Sequence, residues 1–210
     1  LRYSWLNKGL KEFKKEEVGL VVKTAIAGGS HIDREQTRER MEMLVNHIPK
    51  DRKCKVHLFH GSLSDAEMSS IYKNKNISAY VTTSHGEGFG LPVFEAAQYG
   101  LPVIAPVWGG IKEFAEDAFV EIDYEVNKLE EHQVWQGVLE ADSEWCFPKI
   151  NSTREQMREV YNNLSKYKKQ AKAHQNFISE NFTEQSVNMR YNSIIESVID
   201  TTEGETNEVE

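Results

Sequence analysis

Residues 84–95 read SHGEGFGLPVFE, a stretch that holds three glycines, one proline and two glutamates. The residues just before it, AYVTT at 79–83, are β-prone and largely apolar, as expected of a buried parallel strand. Glycine allows tight turns and a close approach of the backbone to a ligand, and proline is favoured at the first position of a helix. We therefore predict a strand, a glycine-rich loop and a helix from Pro92 to about Tyr99, closed by Gly100 in a left-handed cap.

Two carboxylates flank the start of this predicted helix, Glu87 in the loop and Glu95 in the first turns. The free amides at a helix N-terminus favour an anion, and a carboxylate can accept two hydrogen bonds from a vicinal diol. The combination predicts a ligand that is part phosphate and part polyol. The alternative is an ordinary strand–loop–helix unit with two solvated glutamates, because acidic residues are common near helix N-termini.

The spacing of the two glutamates resembles a known signature. Seven residues that include GFGLP separate Glu87 from Glu95, as in the retaining glycosyltransferases of family 4, whose GT-B fold has two Rossmann-like domains. The downstream residues GLPVIA at 100–105, Gly110 and Glu113 fit the same family. The opening residues 1–9 resemble the entry to the second GT-B domain. The resemblance implies a donor-binding half, with an N-terminal acceptor domain expected ahead of it.

The remaining pattern agrees with an α/β fold. Apolar segments typical of strands alternate with segments typical of helices: strands at 18–25, 55–60, 79–83, 101–106 and 119–123, and helices at 8–17, 33–48, 65–75 and 111–116. Ser64 and Glu67 have the spacing of a capping box at one helix start. This alternation predicts a Rossmann-like, doubly wound parallel sheet with helices on both faces.

The C-terminal third is expected to be helical, in a single domain that spans residues 1–199. We predict one long helix from Thr153 to Ser179, then a terminal helix at 183–199 that Thr183 caps. Residues 200–210 have the composition of an acidic disordered tail. Residues 124–150 are expected to form an irregular edge region, whose aromatic side chains either pack a lid or form a sugar-binding platform.

The resemblance implies a nucleotide-sugar donor linked to UDP or GDP, and it assigns roles to matching positions. Glu95 would bind the ribose, and Glu87 would lie beside the donor sugar and the reacting centre. Arg2 and Lys8 would bind the diphosphate and stabilise it as it leaves; the alternative for both is a solvated chain terminus. Leu63 lies in a loop that would contact the base.

Further donor contacts are predicted around the same loop. The positions implied are His85, Gly88, Phe89, Gly90, Leu91 and Gly110. His85 could instead be polar surface, since a loop histidine without a partner usually is. The glycines at 109–110 could instead form a simple turn between a strand and a helix. Whether Glu87 acts as a nucleophile is left open by the sequence.

Composition restricts the partners. The formal net charge of −8 argues against nucleic acid, which requires clustered Lys and Arg. No DxD triplet occurs, so we predict no metal and no cofactor besides the nucleotide-sugar substrate. Two distant cysteines, Cys54 and Cys146, favour a reducing, cytoplasmic location, with a disulfide between them or a peripheral membrane position as alternatives.

Three functions are compatible with these features. The first is hexosyl transfer to an acceptor, whether sugar, lipid or protein, that the N-terminal domain holds. The second is a nucleotide-sugar-binding module that does not transfer by itself. The third is another GT-B enzyme, such as a sugar-nucleotide epimerase. The isolated fragment is expected to be inactive and to self-associate through an uncovered apolar face of the terminal helix.

Overall fold

The computed structural model describes residues 9–25, 30–48 and 50–205, with side chains described up to residue 199. Residues 9–12 are helical. The first elements are β1 (Gly19–Thr24), α1 (His31–Val45), β2 (Lys55–His60), α2 (Asp65–Tyr72), β3 (Tyr80–Val81), α3 (Leu91–Gln98), β4 (Val103–Ala105), α4 (Lys112–Ala115) and β5 (Val120–Glu121). The later elements are β6 (Tyr124–Lys128), β7 (Glu144–Pro148), α5 (Ile150–Asn162), α6 (Leu164–Asn181) and α7 (Glu184–Glu205).

The first five strands pair in parallel and form two sheets. β1 and β2 form one sheet, in register from Gly19 opposite Lys55 to Thr24 opposite His60. β3, β4 and β5 form a second sheet in that order, with β4 in the middle. Helices connect successive strands, as parallel pairing requires. The predicted α/β, Rossmann-like architecture is therefore confirmed, with the hydrogen-bonded strands in two sheets.

The largest core cluster surrounds β4 and α3. All three residues of β4 are buried, which explains why the sequence there is a continuous apolar run without alternation. Val93 and Ala96 of α3 and Phe114 of α4 are almost completely buried against it. This packing fixes the start of α3 relative to the end of β3, and the glycine-rich loop lies between those two points.

A second cluster covers the first sheet. Leu10 and Phe13 are buried with Met41, Ile48 and Cys54. The helix predicted at 8–17 is described from residue 9 and ends at residue 12, where a turn follows. Met157 of α5 packs against this cluster and also against the cluster beside β4 and β5. The helix α5 therefore joins the cores of the two parallel sheets.

Residues 124–150 contain a regular antiparallel hairpin, so the predicted irregular edge is wrong at this point. β6 and β7 pair from Tyr124 opposite Pro148 to Lys128 opposite Glu144. The side chains of β6 alternate, with Tyr124 and Val126 less exposed than Glu125 and Asn127. Strand pairing across a long connection depends on contacts that are distant in sequence, and it leaves only a short local pattern.

The predicted long helix is two helices, because the helical conformation is interrupted at Asn163. This residue has φ −121° and ψ 33° and separates α5 from α6. Its side-chain amide donates to the Glu159 carbonyl at 3.3 Å and to the Glu159 carboxylate at 3.0 Å. An asparagine side chain that bonds locally in this way disfavours helix, and the break directly follows the last backbone bond of α5, from the Asn163 amide to the Glu159 carbonyl at 3.0 Å.

Other helix ends follow the predicted caps. Ser64 and Glu67 form the capping box of α2, which ends at Tyr72 rather than at residue 75. Thr183 caps α7 by accepting from the Ser186 amide at 3.0 Å. This helix continues to Glu205 instead of ending at residue 199, so it overlaps the predicted acidic tail. Residues 206–210 lie outside the described part of the chain.

Two further findings bear on the sequence predictions. Cys54 and Cys146 are both free and buried, so the alternative of a disulfide between them is wrong. Among the described helices, none combines the length and the apolar composition that crossing a bilayer requires.

Candidate functional site

The glycine-rich loop joins the carboxyl end of β3 to the N-terminus of α3. Gly90 caps α3 with φ 90° and ψ 48°, a left-handed conformation that favours glycine. A Cβ atom at Gly90 would lie 3.1 Å from Ile111 Cγ1, so the space is also restricted. The loop therefore requires glycine at this position for both backbone geometry and packing.

The helix start leaves two amides for a ligand. Leu91 is the first helical residue and Pro92 the second, so the helix begins one residue before the predicted start at Pro92. Pro92 has no N–H, and the Val93 and Phe94 amides both donate to the Gly90 carbonyl at 2.9 Å. Within the described part of the chain, the amides of Gly90 and Leu91 have no acceptor. These two donors lie at the positive end of the helix dipole and can bind an anion.

A second glycine turn packs directly against this loop. The Gly110 amide donates to the Glu87 carbonyl at 3.2 Å. A Cβ atom on Gly110 would collide with the backbone of Gly88, so the two loops meet backbone to backbone. The turn at 109–110 is thus more than a connection between a strand and a helix, because it fixes the backbone at Glu87. Glu113, in contrast, is exposed on α4.

Glu95 is held by a residue that sequence reasoning missed. The Tyr72 hydroxyl donates to Glu95 Oε2 at 3.2 Å and also lies 3.4 Å from the Pro92 carbonyl oxygen. Burial, together with the negative charge of Glu95, raises the pKa of Tyr72 well above its usual range. Tyr72 therefore stays a hydrogen-bond donor at physiological pH. The sequence carried no signal of this contact, because it joins α2 to α3.

The two glutamates act on the same region of the molecule. Tyr80 of β3 is half-buried, and its desolvation together with the charges of Glu87 and Glu95 raises its pKa to about 12. Both carboxylates therefore lie close enough to Tyr80 to influence one phenol.

His85 is docked on the hairpin. Its Nδ1 bonds to the Cys146 carbonyl at 2.6 Å, and the Cys146 amide donates to the His85 carbonyl at 3.0 Å. Its ring stacks on Trp145 with 5.3 Å between centroids and lies 5.0 Å from the ring of Phe147. A carbonyl only accepts, so Nδ1 carries the proton. The alternative that His85 is polar surface is wrong, and a donor contact through its other nitrogen stays a prediction.

The hairpin also contacts the second loop. The Tyr124 hydroxyl donates to the Val107 carbonyl at 3.1 Å, and the rings of Tyr124 and Trp108 are 6.0 Å apart. The hairpin therefore braces both loops of the site. Trp145 takes part in this packing, whereas Trp135 near the hairpin tip is 67% exposed. Of these two tryptophans, Trp135 is the more exposed and so the better candidate for a sugar platform.

The other predicted contacts have different environments. The ring of Phe89 packs against those of Phe94 and Phe114, at 5.2 and 5.1 Å between centroids, so it contributes mainly to the core. Leu91 is 63% exposed, and Gly88 is exposed. Leu63 is half-buried in the loop after β2. Arg2 and Lys8 lie outside the described residues.

A buried contact between a histidine and a carboxylate lies at the carboxyl end of β2. His60 Nε2 is 3.1 Å from Asp33 Oδ2, and both side chains are buried. Asp33 also accepts from the Thr37 hydroxyl at 3.3 Å. Sequence analysis missed this pair, because the two residues belong to different elements and neither has a distinctive local pattern. As for a metal, no cluster of three His, Cys, Asp or Glu side chains within the described ranges could hold one.

Comparisons with known proteins identify the family. The family model described as Glycosyl transferases group 1 matches residues 6–132. The solved structure "Crystal structure of GtfA/B complex" is similar with a TM-score of 0.50 and 18% identity, over 89% of this chain and 37% of that one. At that identity the likeness shows the fold alone, a GT-B glycosyltransferase fold, and this chain spans little more than a third of the neighbour's length. No curated protein matches significantly. Because the family match covers well over half of the 210 residues, this chain belongs to the group 1 glycosyl transferases.

Proposed function

We propose that this chain is the donor-binding half of a retaining, family 4 glycosyltransferase. It binds a UDP- or GDP-linked hexose, which is transferred to an acceptor held by a second, N-terminal domain. The observation that carries this proposal is the loop at Gly90, where two free amides at the start of α3 are flanked by Glu87 and Glu95. An anion site between two carboxylates matches a diphosphate with a polyol on each side.

Each part of the donor has a group that suits it. The amides of Gly90 and Leu91 bind the diphosphate, together with the cationic Arg2 and Lys8 of the opening segment. Glu95 accepts hydrogen bonds from the ribose diol. The loop of Leu63 contacts the base through its backbone. These assignments place the nucleotide across the carboxyl end of the parallel strands, where ligands of such sheets bind.

The chemistry follows from the charges. Departure of the nucleoside diphosphate develops negative charge on the phosphate and positive charge on the sugar. Amides and cations stabilise the first, and the carboxylate of Glu87 stabilises the second. The Gly110 amide donates to the Glu87 carbonyl, so the backbone that carries this carboxylate is held in place before the donor arrives. With the amides and cations at the diphosphate, the reaction proceeds without an essential divalent ion.

A second candidate is a nucleotide-sugar-binding module that does not transfer by itself. It rests on the same loop at Gly90, whose two amides at the start of α3 suit a diphosphate. Both candidates require the same donor site, and they differ in whether an acceptor domain completes it. Turnover by the whole protein distinguishes them.

Calorimetric titration of the chain with UDP, GDP and ADP tests the donor site. We expect UDP or GDP to bind, with affinity retained in EDTA. Glu95→Ala should weaken that binding by about 1–3 kcal/mol, because a charge-assisted hydrogen bond is lost. Glu180→Ala removes an exposed helical glutamate elsewhere and should change nothing.

Three results would contradict the proposal. If no nucleotide binds, the assignment of a donor site is wrong. If Glu95→Ala binds the nucleotide with unchanged affinity, Glu95 does not bind the ribose. Strict dependence on magnesium or manganese would show that the amides and the cations are insufficient.

A further inference from the structure

Tyr72 places a buried hydroxyl against the start of α3. It is the last residue of α2 and is only 5% exposed. Its hydroxyl lies 3.2 Å from Glu95 Oε2 and 3.4 Å from the Pro92 carbonyl oxygen. Both acceptors belong to the first turns of α3, beside the amides that suit a diphosphate.

Neighbouring rings fix the position of this hydroxyl. The ring of Tyr72 stacks on Tyr99 with 5.6 Å between centroids and an interplanar angle of 17°. On another side it packs against Tyr80 at 6.4 Å. A buried ring held in this way has little rotational freedom. The hydroxyl is therefore aimed at Glu95 by packing, whether or not a ligand is present.

The direction of the hydrogen bond is determined by chemistry. A carbonyl and a carboxylate only accept, so the single phenolic hydrogen of Tyr72 must be donated to one of them. The bond to the carboxylate of Glu95 is the stronger, since its acceptor carries a charge. It engages Oε2 and leaves Oε1, with the second lone pair of Oε2, for a ligand.

We propose that Tyr72 is a positioning residue, which holds the Glu95 carboxylate in the orientation that accepts the ribose diol of the donor. This inference rests on the proposed function, in which Glu95 binds the ribose. A glutamate side chain has three rotatable bonds, and ordering it when the ligand binds lowers the affinity. A hydrogen bond that exists beforehand removes part of that cost.

A different role for the same contact is purely structural, in which Tyr72 only ties α2 to α3. The two roles differ in one measurable quantity. A structural tie affects every nucleotide equally, whereas a positioning role affects only ligands that carry the ribose hydroxyls. The informative quantity is therefore the ratio of dissociation constants between a 2′,3′-dideoxynucleoside diphosphate and its ribose counterpart.

The experiment measures this ratio by calorimetry in the parent chain and in three variants. The ligands are UDP or GDP, whichever the parent binds, and the dideoxy form of that nucleotide. Tyr72→Phe removes the hydroxyl and retains the ring. Tyr99→Phe is the control, because it removes a hydroxyl from the ring stacked on Tyr72 without touching Glu95. Glu95→Ala reports the ribose role itself.

We expect Tyr72→Phe to weaken the ribose form roughly three- to tenfold, the scale of one net hydrogen bond. The dideoxy form should bind as it does to the parent, which also demonstrates that the variant is folded. The ratio of the dideoxy to the ribose dissociation constant should therefore fall in Tyr72→Phe. It should fall in Glu95→Ala as well and stay constant in Tyr99→Phe.

The contrary outcomes separate this inference from the proposed function. If Glu95→Ala lowers the ratio and Tyr72→Phe does not, Tyr72 has no positioning role and the ribose assignment stands. Equal weakening of both ligands by Tyr72→Phe also overturns the inference, in favour of the structural tie. An unchanged ratio in Glu95→Ala, or a parent that binds neither ligand, overturns the ribose assignment and the inference with it.

Discussion

At the scale of single residues, Gly110 has the most restricted surroundings in the site. A Cβ atom there would collide with the Gly88 backbone, while the Gly110 amide holds the Glu87 carbonyl. Gly110→Ala must therefore displace one of the two loops. We expect a loss of about 1–3 kcal/mol in the free energy of unfolding, as for other overpacked positions, and weaker binding of the donor nucleotide.

Gly86 in the same loop provides the matched control. A Cβ atom there would meet nothing within 4 Å, and the residue is exposed. Gly86→Ala should change the free energy of unfolding by less than about 0.5 kcal/mol. Chemical denaturation and calorimetric titration measure both variants. Equal effects of the two substitutions would show that contact between the loops does not determine the geometry of the site.

At the scale of elements, the hairpin β6–β7 braces the glycine-rich loop. It holds His85 through two hydrogen bonds to Cys146 and through the stacked ring of Trp145. Trp145→Ala removes that stacking and should destabilise the fold by about 1–3 kcal/mol. We expect faster hydrogen exchange at the amides of residues 84–90, because the loop loses one of its two supports.

Trp135 is the control for this element. It belongs to the same hairpin region but is 67% exposed, so Trp135→Ala removes a similar side chain without the stacking. In Trp135→Ala, the amides of residues 84–90 should exchange at the same rate as in the parent chain. If Trp145→Ala leaves the exchange of residues 84–90 unchanged, then the hairpin does not support the loop.

At the scale of the whole molecule, α7 exposes several large apolar side chains. Its large apolar side chains are 51–64% exposed: Met189, Tyr191, Ile194, Ile195, Val198 and Ile199. Tyr191, Ile194, Ile195 and Val198 have the spacing of one helix face, and an exposed apolar face indicates an interaction surface. In our proposal an acceptor domain covers it in the whole protein.

Two measurements follow for the whole molecule. Sedimentation should show that the chain self-associates, and the double variant Ile195→Glu, Val198→Glu should reduce the association. Ile32→Glu, which alters an exposed isoleucine on α1, should not. When a family-type acceptor domain precedes the chain, turnover should appear, because closure of two domains orients the reactants and excludes water. Robust transfer by residues 1–210 alone would contradict this arrangement.

Much of the fold is determined by local sequence. The strand at 55–60 has the bounds that its apolar pattern predicts, and the Ser64 capping box and the Gly100 cap form as expected. The glycine-rich loop also follows from residues 84–95, and α3 starts at Leu91, one residue before the predicted Pro92. Caps, turns and apolar periodicity act between residues a few positions apart, so they can be read directly from the chain.

Only the tertiary structure determined how these segments meet. The bond between Tyr72 and Glu95, the docking of His85 on Cys146 and the pair of Asp33 with His60 each join two elements. The hairpin β6–β7 depends likewise on pairing across a long connection. Such contacts arise when apolar burial brings distant segments together, and the side chains that meet there carry no mark of their partners in the local sequence.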